Sequence, residues 1–167
     1  PFTFSVRQVG TNFRVFGQQS IKYVNGAVYW IGESGGFFVY DGTVKALPCL
    51  VEDFVFKTTG TNLGINYDAG EEVYAGLNHL YEEIIWFYAK SGSSQIDRCV
   101  TYNYQNQTWT TGSLARTTWV DASVYSAPYA TEFNSTAVPT FPTVQGITNI
   151  NGATTYYAHE IGNDQVD

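Results

Sequence analysis

The chain carries one strand–turn–strand pattern twice, and both copies are rich in aromatic residues. The first copy runs from Val28 to Gly42 and the second from Ile85 to Asn103, each with glycine and serine in its turn. Trp30 and Trp86, in the leading strands, lie 56 positions apart, and a weaker third start follows at 152–159. Recurrence at a spacing of tens of residues marks a repeat architecture, in which each unit packs on its neighbours.

The first repeat predicts a four-stranded antiparallel meander. Its predicted strands are 21–24, 27–31, 37–40 and 44–47. Asn25-Gly26 and Asp41-Gly42 are strong hairpin-turn signals, because both dipeptides tolerate the backbone of tight turns. Pro48 ends the run, since proline cannot donate a hydrogen bond to a neighbouring strand.

The middle of the chain leaves two interpretations open. Residues 51–70 read as loop, apart from a short apolar piece at 54–56. Helix-like spacing, which would allow a helical turn, links Val73, Leu77, Leu80 and Ile84. We favour a hairpin, in which 73–75 leads through a turn at 76–78 into 83–88, because the returning strand is β-branched and aromatic.

The remaining strand signals complete a second sheet and begin a third. They lie at 97–104, 108–110, 116–120, 126–131 and 154–158. Residues 134–145, rich in Ser, Thr and Pro, read as an inserted loop, and Asn151-Gly152 as a hairpin turn. We therefore predict an all-β fold of antiparallel four-stranded sheets, arranged as consecutive blades of a partial β-propeller.

The predicted blades divide residues 1–167 into three parts, near 20–50, 71–112 and 113–167. Propellers close with four to eight blades, so either further sequence completes a ring or the sheets form an open sandwich. The chain starts at Pro1, lacks methionine and stops inside an apparent hairpin at 163–167, which suggests a fragment of a longer polypeptide.

Composition narrows the class of function. Aromatic residues make up 17% and charged residues 14%, which suits packed sheets and argues against disorder. No apolar run approaches a membrane span. Cys49 and Cys99 are expected to be separate half-buried thiols, with a disulfide as the alternative, and neither has metal-site spacing.

The net charge of −7 is unevenly spread. Its acidic part comprises Glu52, Asp53, Asp68, Glu71, Glu72, Glu82 and Glu83. An acidic surface repels nucleic-acid backbones, so sequence-specific DNA binding is not expected. A solvated acidic loop that keeps an aromatic protein in solution is the simpler interpretation.

Several patterns could carry chemistry, but each has a simpler structural explanation. Ser34 lies in a G-x-S-x-G pattern, yet a strand follows it where a nucleophile elbow requires a helix. His79 and His159 are the two imidazoles, and His79 with Glu82 and Glu83 is a weak candidate for a metal site. We expect no catalytic, metal or cofactor-binding residues.

Paired carboxylates occur at Glu52-Asp53, Glu71-Glu72 and Glu82-Glu83. A glycosidase needs two carboxylates across a cleft, whereas adjacent residues of a strand point to opposite faces. An acid/base pair stays an open alternative.

Residues 102–109 resemble the Asp-box turn of sialidase-type propellers and end in the same Thr-Trp, but Tyr104 and Asn106 replace its aspartate and glycine. Packing at the end of a blade explains the tryptophan. Charges within apolar strands are expected to pair and to fix register or a contact between blades. They are Asp97, Arg98, Arg116 and Asp121.

Five stretches together resemble the tail nozzle (tail hub) proteins of short-tailed bacteriophages. They are 36–56, 83–88, 96–104, 114–119 and 156–162. The resemblance covers about residues 20–165 in order. It implies β-propeller-based virion subunits, commonly in a sixfold ring, that form the distal channel for DNA ejection below the portal and adaptor.

What the resemblance implies is a structural role without catalytic residues. The expected partners are further copies of the chain, tail adaptor and fibre proteins, and genomic DNA in transient, non-specific passage. The expected location is the virion, after synthesis in the host bacterial cytoplasm. Loops 57–70 and 134–145 are expected to contact neighbouring subunits or fibres. Alternatives are a carbohydrate-binding or glycoside-hydrolysing propeller and a kelch-like interaction module.

Overall fold

A computed structural model of the chain describes residues 3–121, 128–133, 145–148 and 155–160. Three four-stranded antiparallel sheets form most of this part of the chain, which confirms the all-β prediction. Sheet 1 contains β1 (Ile21–Val24), β2 (Ala27–Ile31), β3 (Phe37–Tyr40) and β4 (Val44–Leu47). Sheet 2 contains β5 (Tyr74–Asn78), β6 (Glu83–Tyr88), β7 (Arg98–Asn103) and β8 (Thr108–Gly112). Both are meanders with strands in chain order.

Sheet 3 contains β9 (Arg116–Val120), β10 (Tyr129–Phe133), β11 (Gln145–Thr148) and β12 (Thr155–Glu160). Its spatial order is β9-β10-β12-β11, so β12 lies between β10 and β11 and the sheet is not a simple meander. Gln145, predicted in the inserted loop, begins β11. The predicted turn at Asn151-Gly152 and the predicted chain-end hairpin lie outside the described residues.

The segment 51–70, predicted to be mostly loop, contains helical residues. A short helix, α1, spans Glu52–Phe56, and a 3-10 helix spans Tyr67–Glu72. Two acidic residues lie in the first turn of α1, where the partial positive charge of a helix N-terminus favours them. The helix has 5 residues and buries only Val55, so the sequence shows no apolar periodicity there.

The predicted hairpin at 73–88 is present, but its turn lies at residues 79–82 rather than at 76–78. Gly76 belongs to β5, where it pairs with Ile85, and the ring of Trp119 packs on it. A Cβ atom at Gly76 would lie 2.7 Å from that ring, so only glycine admits the contact. The prediction mistook a packing glycine for a turn glycine.

The three sheets stack face to face, with sheet 2 in the middle. Phe37 of sheet 1 contacts Trp86 of sheet 2, with ring centroids 5.1 Å apart, in the main core. On the opposite face of sheet 2, Phe87 contacts Trp119 of sheet 3 at 5.5 Å. β1 also lies directly against β5. No helix in the described part of the chain is long and apolar enough to cross a membrane.

Candidate functional site

Ser34 is exposed in the turn between β2 and β3, as a hairpin residue would be. Gly35 and Gly36, which follow it, have φ angles of 91° and 88° and make this turn possible. The polar cavity beside the serine is lined by Asn12, Arg14, Glu33 and Ser34. No histidine is among these lining residues, so the cavity does not form a Ser–His pair.

The candidate metal ligands do not form a metal site. His79 and Glu82 are exposed in the β5–β6 turn, while Glu83 is half-buried at the start of β6 and burial raises the pKa of its carboxyl. Among the described residues, no group of three His, Cys, Asp or Glu side chains could hold a metal ion. His159 lies in β12, opposite Ala130, rather than in a turn.

The three carboxylate pairs lie in three different elements. Glu52-Asp53 opens α1, Glu71-Glu72 ends the 3-10 helix, and Glu82-Glu83 leads into β6. The first two pairs are exposed on the surface. Their placement gives no indication of a shared cleft.

Asp121 joins all three sheets at one point, which we call the three-sheet junction. The carboxylate follows β9, accepts a hydrogen bond from Lys22 Nζ of β1 at 2.7 Å, and accepts another from the Leu77 backbone N–H of β5 at 2.7 Å. The side chains of Lys22 and Asp121 are only 22% and 33% exposed. The prediction that Asp121 pairs in a contact between sheets is confirmed.

Asp97 pairs with a neighbouring lysine, as predicted, whereas the contacts of Arg98 are with an amide oxygen and an aromatic ring. Lys90 Nζ donates to Asp97 Oδ2 at 2.7 Å, and the Lys90 backbone N–H donates to Oδ1 at 2.9 Å. Arg98 donates to Asn62 Oδ1 at 3.1 Å and lies over the Phe54 ring. These contacts fix the chain around sheet 2 rather than a contact between sheets.

Arg116 is buried at the start of β9, and its backbone carbonyl accepts a hydrogen bond from the Tyr74 hydroxyl of β5 at 3.0 Å. This bond crosses from sheet 2 to sheet 3. Arg116 therefore lies in a contact between sheets through its backbone, and the pairing of its charge stays a prediction.

Three of the four tryptophans donate their indole N–H to a backbone carbonyl of the preceding sheet or its flanking residues. Trp86 of sheet 2 donates to Ser20, directly before β1, at 2.9 Å. Trp109 of sheet 2 donates to Pro48, directly after β4, at 2.9 Å. Trp119 of sheet 3 donates to Leu77 of β5 at 3.4 Å. Each contact between sheets thus combines apolar packing with a directed hydrogen bond.

Residues 102–109 form a packing turn, as expected from their departure from the Asp-box pattern. Asn103 Oδ1 accepts hydrogen bonds from the backbone N–H groups of Gln105 and Asn106. Trp109 packs on Phe37 of sheet 1, with ring centroids 4.5 Å apart. The turn therefore positions a core side chain.

Loop 57–70 is held by backbone hydrogen bonds to its own chain. Ile65 N–H donates to Val55, Asn66 N–H to Ala89, and Gly64 accepts from Ser91. These bonds tie the loop to α1 and to the end of β6. The prediction that this loop contacts other subunits stays a prediction, and loop 134–145 lies outside the described residues except for Gln145.

Both cysteines are free thiols. Cys49 is half-buried, as predicted, whereas Cys99 is buried on β7. Burial raises the pKa of each thiol to about 11. Both thiols therefore stay protonated, and unreactive, near neutral pH.

Sheet 1 has a second apolar face, on the side opposite sheet 2, which sequence reasoning missed. This outer face comprises Ile21, Tyr23, Val28, Trp30, Phe38, Tyr40, Val44 and Ala46. Residues 8–15 cross it, with Phe13 against Phe38 at 5.2 Å, and leave a cavity of about 590 Å³. The continuous apolar runs of β2 and β3 were the available signal, because strands buried on both faces do not alternate.

Trp30 differs from the other three tryptophans. Its side chain is 7% exposed and lines the cavity. Its indole Nε1 is buried, and within the described part of the chain no acceptor lies at hydrogen-bond distance. A buried donor without a partner costs about 1–3 kcal/mol, so a hydrogen-bond acceptor placed above Trp30 would stabilise the protein.

The comparisons with known proteins add no relative to this description. No protein-family model matches the chain, and a search of curated proteins finds no similar sequence.

Proposed function

We propose that this chain is a structural subunit of a bacteriophage tail nozzle, in which its stacked sheets serve as consecutive blades of a β-propeller. The observation that carries the proposal is the three-sheet junction. Asp121 binds Lys22 of β1 and Leu77 of β5, so one edge strand of each sheet meets its neighbours at a common point. First strands that converge while sheets stack face to face are the arrangement expected around a propeller axis.

The contacts between the sheets suit a structural protein. Aromatic packing and indole hydrogen bonds join each sheet to the preceding one. The candidate Ser34 and His79 are exposed turn residues, and the described residues contain no metal-binding group. These features favour a scaffold whose function is assembly.

The acidic residues suit a channel through which DNA passes without sticking, because like charges repel. Of the seven acidic residues between Glu52 and Glu83, all are exposed except the half-buried Glu83. In this proposal some of these residues face the channel, and the partners are further copies, adaptor and fibre proteins.

Carbohydrate binding is the weaker alternative. A sugar-binding propeller would present tryptophan rings on its surface, but Trp86 is fully buried between sheets 1 and 2. Trp109 also packs in that interface. We therefore keep the assembly role as the proposal.

Electron microscopy of the purified protein tests the proposal. Class averages are expected to show rings with a central channel. A ring makes charge reversal at Glu71 and Glu72 worth measuring as a change in DNA retention by the channel. Single particles with an open pocket and specific glycan binding would contradict the proposal.

A further inference from the structure

We propose that the outer face of sheet 1 is an interface between copies of this chain, on which a second copy docks sheet 3 head to tail. The inference rests on the self-assembly part of the proposed function and names the contact that produces it. The docked sheet takes the position that residues 8–13 occupy above Trp30.

The chemistry of the outer face is that of a sheet-to-sheet contact. All eight of its residues are apolar or aromatic, and none is charged. Ile21 and Tyr23 of β1 are still 41% and 68% exposed. The opposite face of sheet 1 and both faces of sheet 2 are also mainly apolar, although each includes a charged residue such as Lys22, Arg98 or Glu83. Each of these faces is covered by another sheet. Large apolar faces are rarely left exposed to water, so we expect another apolar face to cover the outer face of sheet 1.

Trp30 and Trp86 occupy corresponding positions, which indicates what kind of element covers the outer face. Each lies on the second strand of its sheet, opposite a residue of the first strand: Ile21 for Trp30 and Ala75 for Trp86. Trp86 points to the preceding sheet and donates to the backbone carbonyl of Ser20. Trp30 points away from sheet 2, and the equivalent acceptor is a backbone carbonyl of a sheet docked there.

Sheet 3 of a second copy fits this position. Trp119 faces sheet 2, so its neighbours Thr118 and Val120 point to the other side of sheet 3. There Thr118 pairs with Thr131 and Val120 with Tyr129, and Val120 is 54% exposed. Tyr129 is paired in turn with Glu160 of β12. The outer face of sheet 1 carries no charge, so docking places no like charges together.

The chain order of the contacts sets the head-to-tail direction. Sheet 2 donates indole hydrogen bonds to sheet 1, and sheet 3 donates one to sheet 2. Sheet 1 of one copy, with Trp30 as donor, continues this series on sheet 3 of the other.

Residues 8–13 can yield this position. Every residue from 3 to 14 is exposed, and the Gln8 side chain bonds to Gly10 within the segment itself. Phe13 provides the ring contact with Phe38. The cavity of about 590 Å³ beneath the segment shows that it fills the face incompletely.

Sedimentation velocity over a concentration series tests the docking with one charged substitution on each face. The wild-type chain is expected to self-associate. Ile21→Asp on the outer face and Val120→Asp on sheet 3 are each expected to weaken association at least tenfold, because each buries a carboxylate in an apolar contact. An equimolar mixture of the two variants is expected to regain association, since one intact pair of faces remains.

Leu50→Asp is the matched control, because Leu50 is 98% exposed and is not part of either face. Trp30→Phe keeps a ring but removes the donor, and is expected to weaken association about fivefold. The Trp30 indole N–H resonance, identified by its loss in that variant, is expected to move as the wild-type concentration rises.

Three results would overturn the inference: a wild-type chain that stays monomeric, equal loss of association in Leu50→Asp, or unchanged association in Val120→Asp. The last result would mean that a surface other than sheet 3 docks on the outer face of sheet 1. Rings in electron micrographs that persist in both aspartate variants would leave the proposed function standing while this contact fails. If the chain self-associates and both aspartate variants weaken that association, but no rings form, this contact stands and the proposed function fails.

Discussion

Tryptophan residues in this molecule join apolar packing to one directed hydrogen bond. Trp86 is fully buried and donates to the Ser20 carbonyl. Trp30 is also buried, beneath residues 8–15, but has no such acceptor in the described part of the chain. The same residue type at corresponding positions therefore contributes differently to stability.

Replacing the two tryptophans by phenylalanine should separate these contributions. Trp86→Phe is expected to lower the free energy of unfolding by about 2–3 kcal/mol, from lost packing and a carbonyl left without its donor. Trp30→Phe is expected to change the free energy of unfolding by less than about 1 kcal/mol, because the lost packing is offset by removal of a buried donor that has no acceptor in the described part of the chain. Urea unfolding of dilute protein measures both values, and equal costs would contradict this assignment.

Buried thiols make the molecule sensitive to alkaline pH. Burial raises the pKa of Cys99 from 9.0 to about 11, so the unfolded thiol loses its proton first. The unfolded state then binds fewer protons, and stability is retained below pH 9.0 but falls as the pH rises towards 11. Urea unfolding across this range should show the fall. A Cys49→Ala/Cys99→Ala variant should show less of it, and an unchanged fall would assign the effect to other groups.

Among the elements, the hairpins of sheets 1 and 2 could be predicted from sequence because their signals are local. Asn25-Gly26 has both φ angles positive, 51° and 83°, as its turn type requires. The β-branched and aromatic residues of 83–88 also placed β6 correctly. Local signals of this kind depend only on neighbours in the chain.

The errors arose where distant residues decide. Gly76 reads as a turn glycine until Trp119, 43 positions later, is seen to pack on it. The order of sheet 3 depends on β12 pairing with β10 rather than with β11 alone. The three-sheet junction likewise needs Lys22 and Asp121 together, and only the expectation that Asp121 pairs could be drawn from its apolar surroundings.

A methyl group at position 76 should disturb the contact between sheets 2 and 3. Gly76→Ala places Cβ 2.7 Å from the Trp119 ring, so the ring must move, and a loss of about 1–3 kcal/mol in unfolding free energy is expected. In a Gly76→Ala/Trp119→Leu variant the smaller side chain makes room, so the two substitutions should cost less together than their sum. Additive costs in chemical denaturation would argue against the clash.

For the molecule as a whole, the three-sheet junction is expected to matter more than the surface ion pairs. Asp121→Ala removes the partner of Lys22 and the acceptor of the Leu77 N–H, both partly buried, and should cost about 2–3 kcal/mol. Asp53→Ala is the control, because the Lys57–Asp53 side chains are 63% and 78% exposed, and solvent-exposed ion pairs contribute little to stability. Calorimetric melting compares the two, and similar losses would contradict a special role for the junction.

The junction also sets a requirement on how the chain folds during synthesis. Lys22 pairs with Asp121, 99 positions later in the chain. The residues of sheets 1 and 2 are therefore synthesised before the carboxylate that joins them. Non-local contacts of this span slow folding, and aromatic faces that remain uncovered meanwhile favour aggregation. Nascent chains halted before residue 121 should therefore depend on chaperones more strongly than chains that have passed it.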